Sequence, residues 1–224
     1  MVRDRSEKLR APACEVAIRA DRGVLLAGTL RVPADARETV VFAHGSGSSR
    51  MSSRNRFVAE RLGTHALATL LFDLLTEDEE RNRANVFDLE LLTARLLAAA
   101  RWVDQQEALA MLPLGFFGAS TGAGAALWAA SELEGRVAAV VSRGGRPDLV
   151  LPILPHVRAP TLLIVGGADE PVIEMNRQAL AELGGPKALV IVPGATHLFE
   201  EPGALEQVAE LASSWFTRHL PQAS

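Results

Sequence analysis

Short, almost wholly apolar runs alternate with segments of helical spacing along most of this sequence, and few folds accept that pattern. Thr39 to Ala43 (TVVFA) reads as a strand buried on both faces, and Ala66 to Phe72 as a second. Leu114 to Gly118, Val137 to Val141, Thr161 to Val165 and Ala188 to Val192 continue the series. Between them, Asn55 to Leu62, Asp88 to Ala110, Gly122 to Glu132, Asn176 to Leu183 and Ala204 to His219 read as helices. Such alternation predicts an α/β class: a mainly parallel sheet with helices on both faces. Cys14 to Ala20 and Val24 to Val32 flank the turn residues Asp21-Arg22-Gly23, so the chain is expected to open with an antiparallel hairpin. Leu74 to Asn85 is acidic and reads as irregular. The gap from Ser142 to Pro160 is too short for a cap domain. No linker or repeat interrupts the pattern, so residues 1–224 read as one domain.

One strand-to-helix junction carries chemistry. Leu114-Gly115-Phe116-Phe117-Gly118-Ala119-Ser120-Thr121-Gly122 places G-x-S-x-G between a strand and a helix. A serine there sits on a sharp turn with its hydroxyl above the sheet, and the glycines let strand and helix approach. Serine needs a base to act as a nucleophile, and the base needs an acid to orient it. The order Ser, acid, His is met by Asp169, after the strand ending at Val165, and His197, after the strand ending at Val192. Both fall at the carboxyl edge of the sheet, where open α/β sheets bind ligands. Glu170 is a rival acid and Asp148 a weaker one.

The backbone N–H of Thr121 is one expected oxyanion donor. The loop His44-Gly45-Ser46-Gly47 should supply the other, with the Ser46 N–H as candidate and Gly47 close behind it. The ring of His44 reads as a tie that holds this loop. Arg143 follows the strand ending at Val141 and is a candidate substrate-binding residue for a carboxylate or phosphate; a structural ion pair is the competing reading. Arg50, Arg54 and Arg56 can add positive charge to the same rim, and the acidic run Glu77 to Glu80 reads most simply as a solvated loop able to pair with them.

Composition removes other classes. The net charge of -4 lacks the concentrated basic face that nucleic acid or anionic membrane requires. A single cysteine, Cys14, excludes an internal disulfide and any cysteine-based zinc cluster. With no tyrosine, no Tyr acid or oxyanion donor is available. Gly45-Ser46-Gly47-Ser48-Ser49-Arg50 misses a dinucleotide fingerprint at its last position, and no P-loop occurs. No cofactor or metal is expected. No apolar stretch reaches membrane-span length and the first residues do not read as a signal peptide, so a cytoplasmic protein is expected. A homodimer through an edge strand or exposed helix is compatible with the sequence.

The motifs HGSGSS, GASTG, GGADEPV and PGATHLFEEPG together resemble the dienelactone hydrolase-like group of α/β-hydrolases, over nearly the whole chain. The chain is similar to small bacterial hydrolases of this group that stand alone or are attached to a phosphoribosyltransferase domain. The resemblance implies an ester hydrolase without a cap domain. Dienelactone hydrolases proper use a cysteine at the elbow, so Ser120 points to an ordinary serine esterase acting on a small carboxylic ester. Thioester or amide hydrolysis on the same triad is an alternative, as is a non-catalytic binding module. Leu74, Leu75, Phe87, Leu149 and Leu198 are candidate apolar walls.

Overall fold

The computed structural model describes residues 11–219. Eight strands form one sheet: β1 (Ala13–Arg19), β2 (Leu25–Arg31), β3 (Glu38–Ala43), β4 (Leu67–Phe72), β5 (Leu114–Ala119), β6 (Val137–Arg143), β7 (Thr161–Gly166) and β8 (Lys187–Val192). Their order across the sheet is β1-β2-β4-β3-β5-β6-β7-β8. The first pairings, β1 with β2 and β2 with β4, are antiparallel, and every later pairing is parallel. The expected hairpin is therefore present, with Arg19 opposite Leu25. Arg22 and Gly23 take positive φ in its turn, which glycine adopts freely and arginine does not.

The helices are α1 (Ser53–Gly63), α2 (Glu77–Glu80), α3 (Arg83–Val86), α4 (Leu89–Asp104), α5 (Thr121–Glu132), α6 (Glu170–Glu182) and α7 (Ala204–His219). Period-two alternation splits the central strands between two cores. Val41 and Phe116 face a core shared with α4, α5 and α6, through residues such as Leu96, Ala126 and Ala179. Phe42 and Phe117 face the other way, onto α1 and α7, through Val58, Leu62, Val208 and Phe216. Their rings stack across β3 and β5 with centroids 4.8 Å apart. Burial on both faces is why these strands read as continuous apolar runs.

Several boundaries differ from the sequence reading. β6 runs on to Arg143, which pairs with Ala119 on one side and Ile164 on the other. The long helix expected to reach Ala110 ends at Asp104, and turns such as the bond from Leu109 N–H to the Gln106 carbonyl follow it. The acidic stretch after Leu74 is ordered rather than irregular. Thr76 and Glu79 close a reciprocal capping box that starts α2, and the Asn82 side chain caps α3. Between β6 and β7 lies a 3-10 segment, Pro147–His156, and no further layer over the sheet.

Glu38, at the start of β3, is completely buried beside Gly115 and Phe216, with neither carboxylate oxygen hydrogen-bonded. Burial raises its pKa from 4.5 to about 8. It lies at the end of the strand opposite the functional loops.

Candidate active site

The chain leaves β3 toward β4 on one side and later returns to β5 on the other, so sheet order reverses between β3 and β5. Such a switch point opens a crevice at the carboxyl ends of the strands. The Gly45–Ser48 loop and Ser120 occupy it, with Asp169 beyond β7 and His197 beyond β8.

Ser120 takes φ 51° and ψ −122°, between the last residue of β5 and the first of α5. Its N–H bonds the Arg143 carbonyl at 3.2 Å, and its own carbonyl accepts from Ala123 and Arg146. Those bonds hold a backbone conformation that an L-residue rarely adopts. The flanking glycines are required by contact. A Cβ on Gly122 would run into the carbonyl oxygens of Ala43 and His44, and one on Gly118 into the backbone of Ala123. Gly45 is equally confined, since a Cβ there would lie 2.9 Å from Cβ of Ser120.

Asp169 stands at the N-cap of α6 but makes no side-chain cap bond. Its Oδ2 instead lies 2.7 Å from Nδ1 of His197. This bond fixes the ring so that Nδ1 carries the proton and Nε2 is free to accept one. The rival acids are placed elsewhere. Glu170 is exposed, and Asp148 is held by a two-pronged pair from Arg146, both bonds 2.8 Å. His197 and Ser120 line one cavity of about 230 Å³. No hydrogen bond joins them, as is common in unliganded sites. Gly144, at φ 51°, brings its backbone against the His197 ring, where a Cβ would lie 3.5 Å from Nδ1. Phe199 is fully buried at φ 56° and anchors the turn that carries the histidine. Sequence reasoning missed both residues, whose contribution is backbone shape rather than side-chain chemistry.

Of the two expected oxyanion donors, Thr121 N–H has no partner at the start of α5. Ser46 N–H already donates to Thr121 Oγ1 at 2.9 Å. His44 ties the loop as expected. Its Nδ1 donates to the Gly45 carbonyl at 3.0 Å and its Nε2 accepts from Leu74 N–H at 3.0 Å. Burial lowers its pKa, which suits a neutral ring using one nitrogen as donor and the other as acceptor.

Arg143 is buried in the wall of the cavity that Ser120 and His197 share. Among the described residues no ion pair includes it, so none supports the competing reading of a structural ion pair. The arginines of the rim do not pair with the acidic run. Arg50 binds Asp73 at 2.9 Å and Glu15 at 3.4 Å, and Arg54 binds Glu200 at 3.0 Å. Glu79 of that run pairs with Arg95 of α4 instead, at 2.6 Å. Of the expected apolar walls, Leu198 borders the Ser120 cavity and Phe87 a neighbouring hollow beside Ser46 and Gly47. Leu74 and Leu75 are core residues whose edges line a small hollow under His44. Leu149 is exposed and lines neither the Ser120 cavity nor the hollow beside it.

No helix among the described residues is long and apolar enough to cross a membrane. A structure of a dienelactone hydrolase from Anabaena variabilis superimposes with a TM-score of 0.91 at 55% identity, covering 94% of this chain and 99% of that one. The esterase domain of a Rhodothermus marinus protein shares the fold at 21% identity, with a TM-score of 0.77 over 94% of this chain and all of that one. Two Mycobacterium tuberculosis proteins, each named "Putative phosphoribosyl transferase", are 62% identical over 197 residues. The match covers 88% of this chain and 44% of theirs, so the chain spans less than half the length of these relatives. The sequence pattern of the dienelactone hydrolase family matches residues 60–220, from the end of α1 through α7, and the chain belongs to that family.

Proposed function

We propose that the chain is a serine hydrolase that cleaves a small carboxylic ester through an acyl-enzyme. The observation that carries this reading is the 2.7 Å Asp169–His197 pair at the same sheet edge as Ser120, whose strained backbone lifts it above the turn. Family membership supports ester hydrolysis as the reaction class.

In this reading Ser120 Oγ attacks the ester carbonyl carbon while His197 Nε2 takes the hydroxyl proton. Asp169 holds the Nδ1–H and stabilises the imidazolium that forms. The carbonyl oxygen becomes an oxyanion and receives the Thr121 N–H. The Ser46 N–H joins it by exchanging the Thr121 hydroxyl for the new negative charge, a stronger acceptor. The positive end of α5 lies beneath the same point. The imidazolium then protonates the departing alkoxide, and the C–O bond breaks. Water deprotonated by His197 attacks the acyl-enzyme, and collapse of the second tetrahedral intermediate returns the proton to Ser120.

The test is hydrolysis of p-nitrophenyl esters of increasing acyl length by the native protein and Ser120→Ala. Turnover that disappears in a folded Ser120→Ala supports the reading. Equal turnover in both proteins removes Ser120 as nucleophile.

A further inference from the structure

Among the described residues, a buried cation at this site lacks a counter-ion. Arg143 is only 8% exposed, and its guanidinium carries five N–H donors. Nη2 reaches Asn55 Oδ1 at a long 3.5 Å, while Nε and Nη1 have no acceptor among the described residues. The group lies 5.9 Å from the centre of the Phe199 ring, which steadies a cation but satisfies none of its N–H bonds. Burial and the neighbouring Arg54 lower its pKa only to about 10, so it stays charged at neutral pH. Proteins pair buried charges because an unpaired one is strongly destabilising.

The missing partner has a place to sit. Arg143 faces the cavity of about 230 Å³ that Ser120 and His197 also line, and no Asp or Glu side chain lines it. Arg54 adds a second positive group, partly neutralised by Glu200 at the rim. Ser52, Arg54 and Asn55 belong to the capped first turn of α1 and border the same space, so the positive end of that helix adds to the field. The cavity has room for a short ester with its charged end against Arg143.

We infer that the substrate is a short ester bearing an anionic group, a carboxylate or phosphate, which the Arg143 guanidinium binds within reach of Ser120. The inference rests on the serine-hydrolase reading for its reaction, but the anion site stands or falls by binding. A guanidinium matches two oxygens of either anion with parallel N–H bonds, which a neutral ester cannot supply. A neutral substrate leaves the arginine as orphaned as it is in the free protein. Arg143 is thus assigned a specificity role, separate from the bond-making groups.

Proton release from monomethyl glutarate and from dimethyl glutarate compares an anionic ester with its neutral analogue. The native protein is expected to favour the anion in kcat/KM by at least about tenfold, as hydrogen bonds to a charged group imply. In Arg143→Met that ratio should fall to near one. Arg143→Lys, which keeps the charge without the fork, should give an intermediate ratio and serves alone if the methionine variant does not fold. A ratio near one in the native protein, or an unchanged ratio in either variant, overturns the assignment. Inhibition of dimethyl glutarate hydrolysis by free glutarate and by inorganic phosphate tells which anion the site prefers. Binding is read apart from catalysis by thermal shift in Ser120→Ala. One of these anions should raise its Tm, and the rise should be lost when Arg143→Met is added. A Tm rise without any hydrolysis by the native protein keeps the anion site and sinks the hydrolase reading. Hydrolysis of dimethyl glutarate with neither an anion preference nor a Tm rise does the reverse.

Discussion

Replacing Glu38 by Gln should change how stability depends on pH. The carboxyl is buried without a hydrogen-bond partner, and burial raises its pKa from 4.5 to about 8. Between those values the unfolded chain releases the proton while the folded chain keeps it, so stability falls as pH rises. Below 4.5 both states hold the proton and the penalty vanishes. Integrated from pH 6.5 to 8, this group alone removes about 1.5 kcal/mol. For a chain of this length that corresponds to roughly 3–6 °C in Tm. His44 does not confuse the window, because burial lowers its pKa from 6.5 and its effect lies at lower pH. Stability lost through His44 appears as pH falls and is common to both proteins. Glutamine is nearly isosteric and cannot ionise, so Glu38→Gln should lack the decline above pH 6.5. Urea unfolding at closely spaced pH values measures the difference. Parallel curves for the two proteins across that window would refute the argument that Glu38 is folded in as a neutral acid.

Asp169→Asn should lower kcat by about four orders of magnitude with little change in Tm, because the amide favours the wrong imidazole tautomer; steady-state rates check this, and a near-normal rate would show that Asp169 does not orient His197. Gly122→Ala should destabilise the fold by about 1–3 kcal/mol through overpacking, since its methyl group meets the Ala43 and His44 carbonyls. Calorimetry that finds it as stable as the native protein would mean α5 can retreat from β3 at no cost.

Much of this architecture was legible because burial writes itself into the strands. Val40 to Phe42 and Leu162 to Ile164 are apolar on both faces, as only strands between two helix layers can be. The G-x-S-x-G junction was legible for a related reason, since Gly118 and Gly122 occupy contacts that no other residue fits. The resemblance to the dienelactone hydrolase group rested on such motifs, and the family match agrees with it.

Charge pairing was not legible, because it depends on where loops return in space. Arg95 and Arg50 found Glu79 and Asp73, across 16 and 23 residues, whereas the sequence reading set the acidic run against the arginines of the rim. The end of β6 was placed too early, because Ser142 and Arg143 interrupt the apolar pattern yet both are buried in the sheet. The capping box Thr76-Glu77-Asp78-Glu79 was present as a signal, but the run of acidic residues obscured it. The bond between Ser46 N–H and Thr121 Oγ1 joins residues 75 positions apart, and no local pattern encodes it.

The central claim is that Ser120 is an activated nucleophile. Treatment with a fluorophosphonate, followed by mass spectrometry of the digested protein, tests it without knowledge of the substrate. The account predicts one adduct, on Ser120, that forms with the native protein and is lost in His197→Ala. A folded native protein left unmodified at Ser120, or labelled equally well without His197, would contradict it.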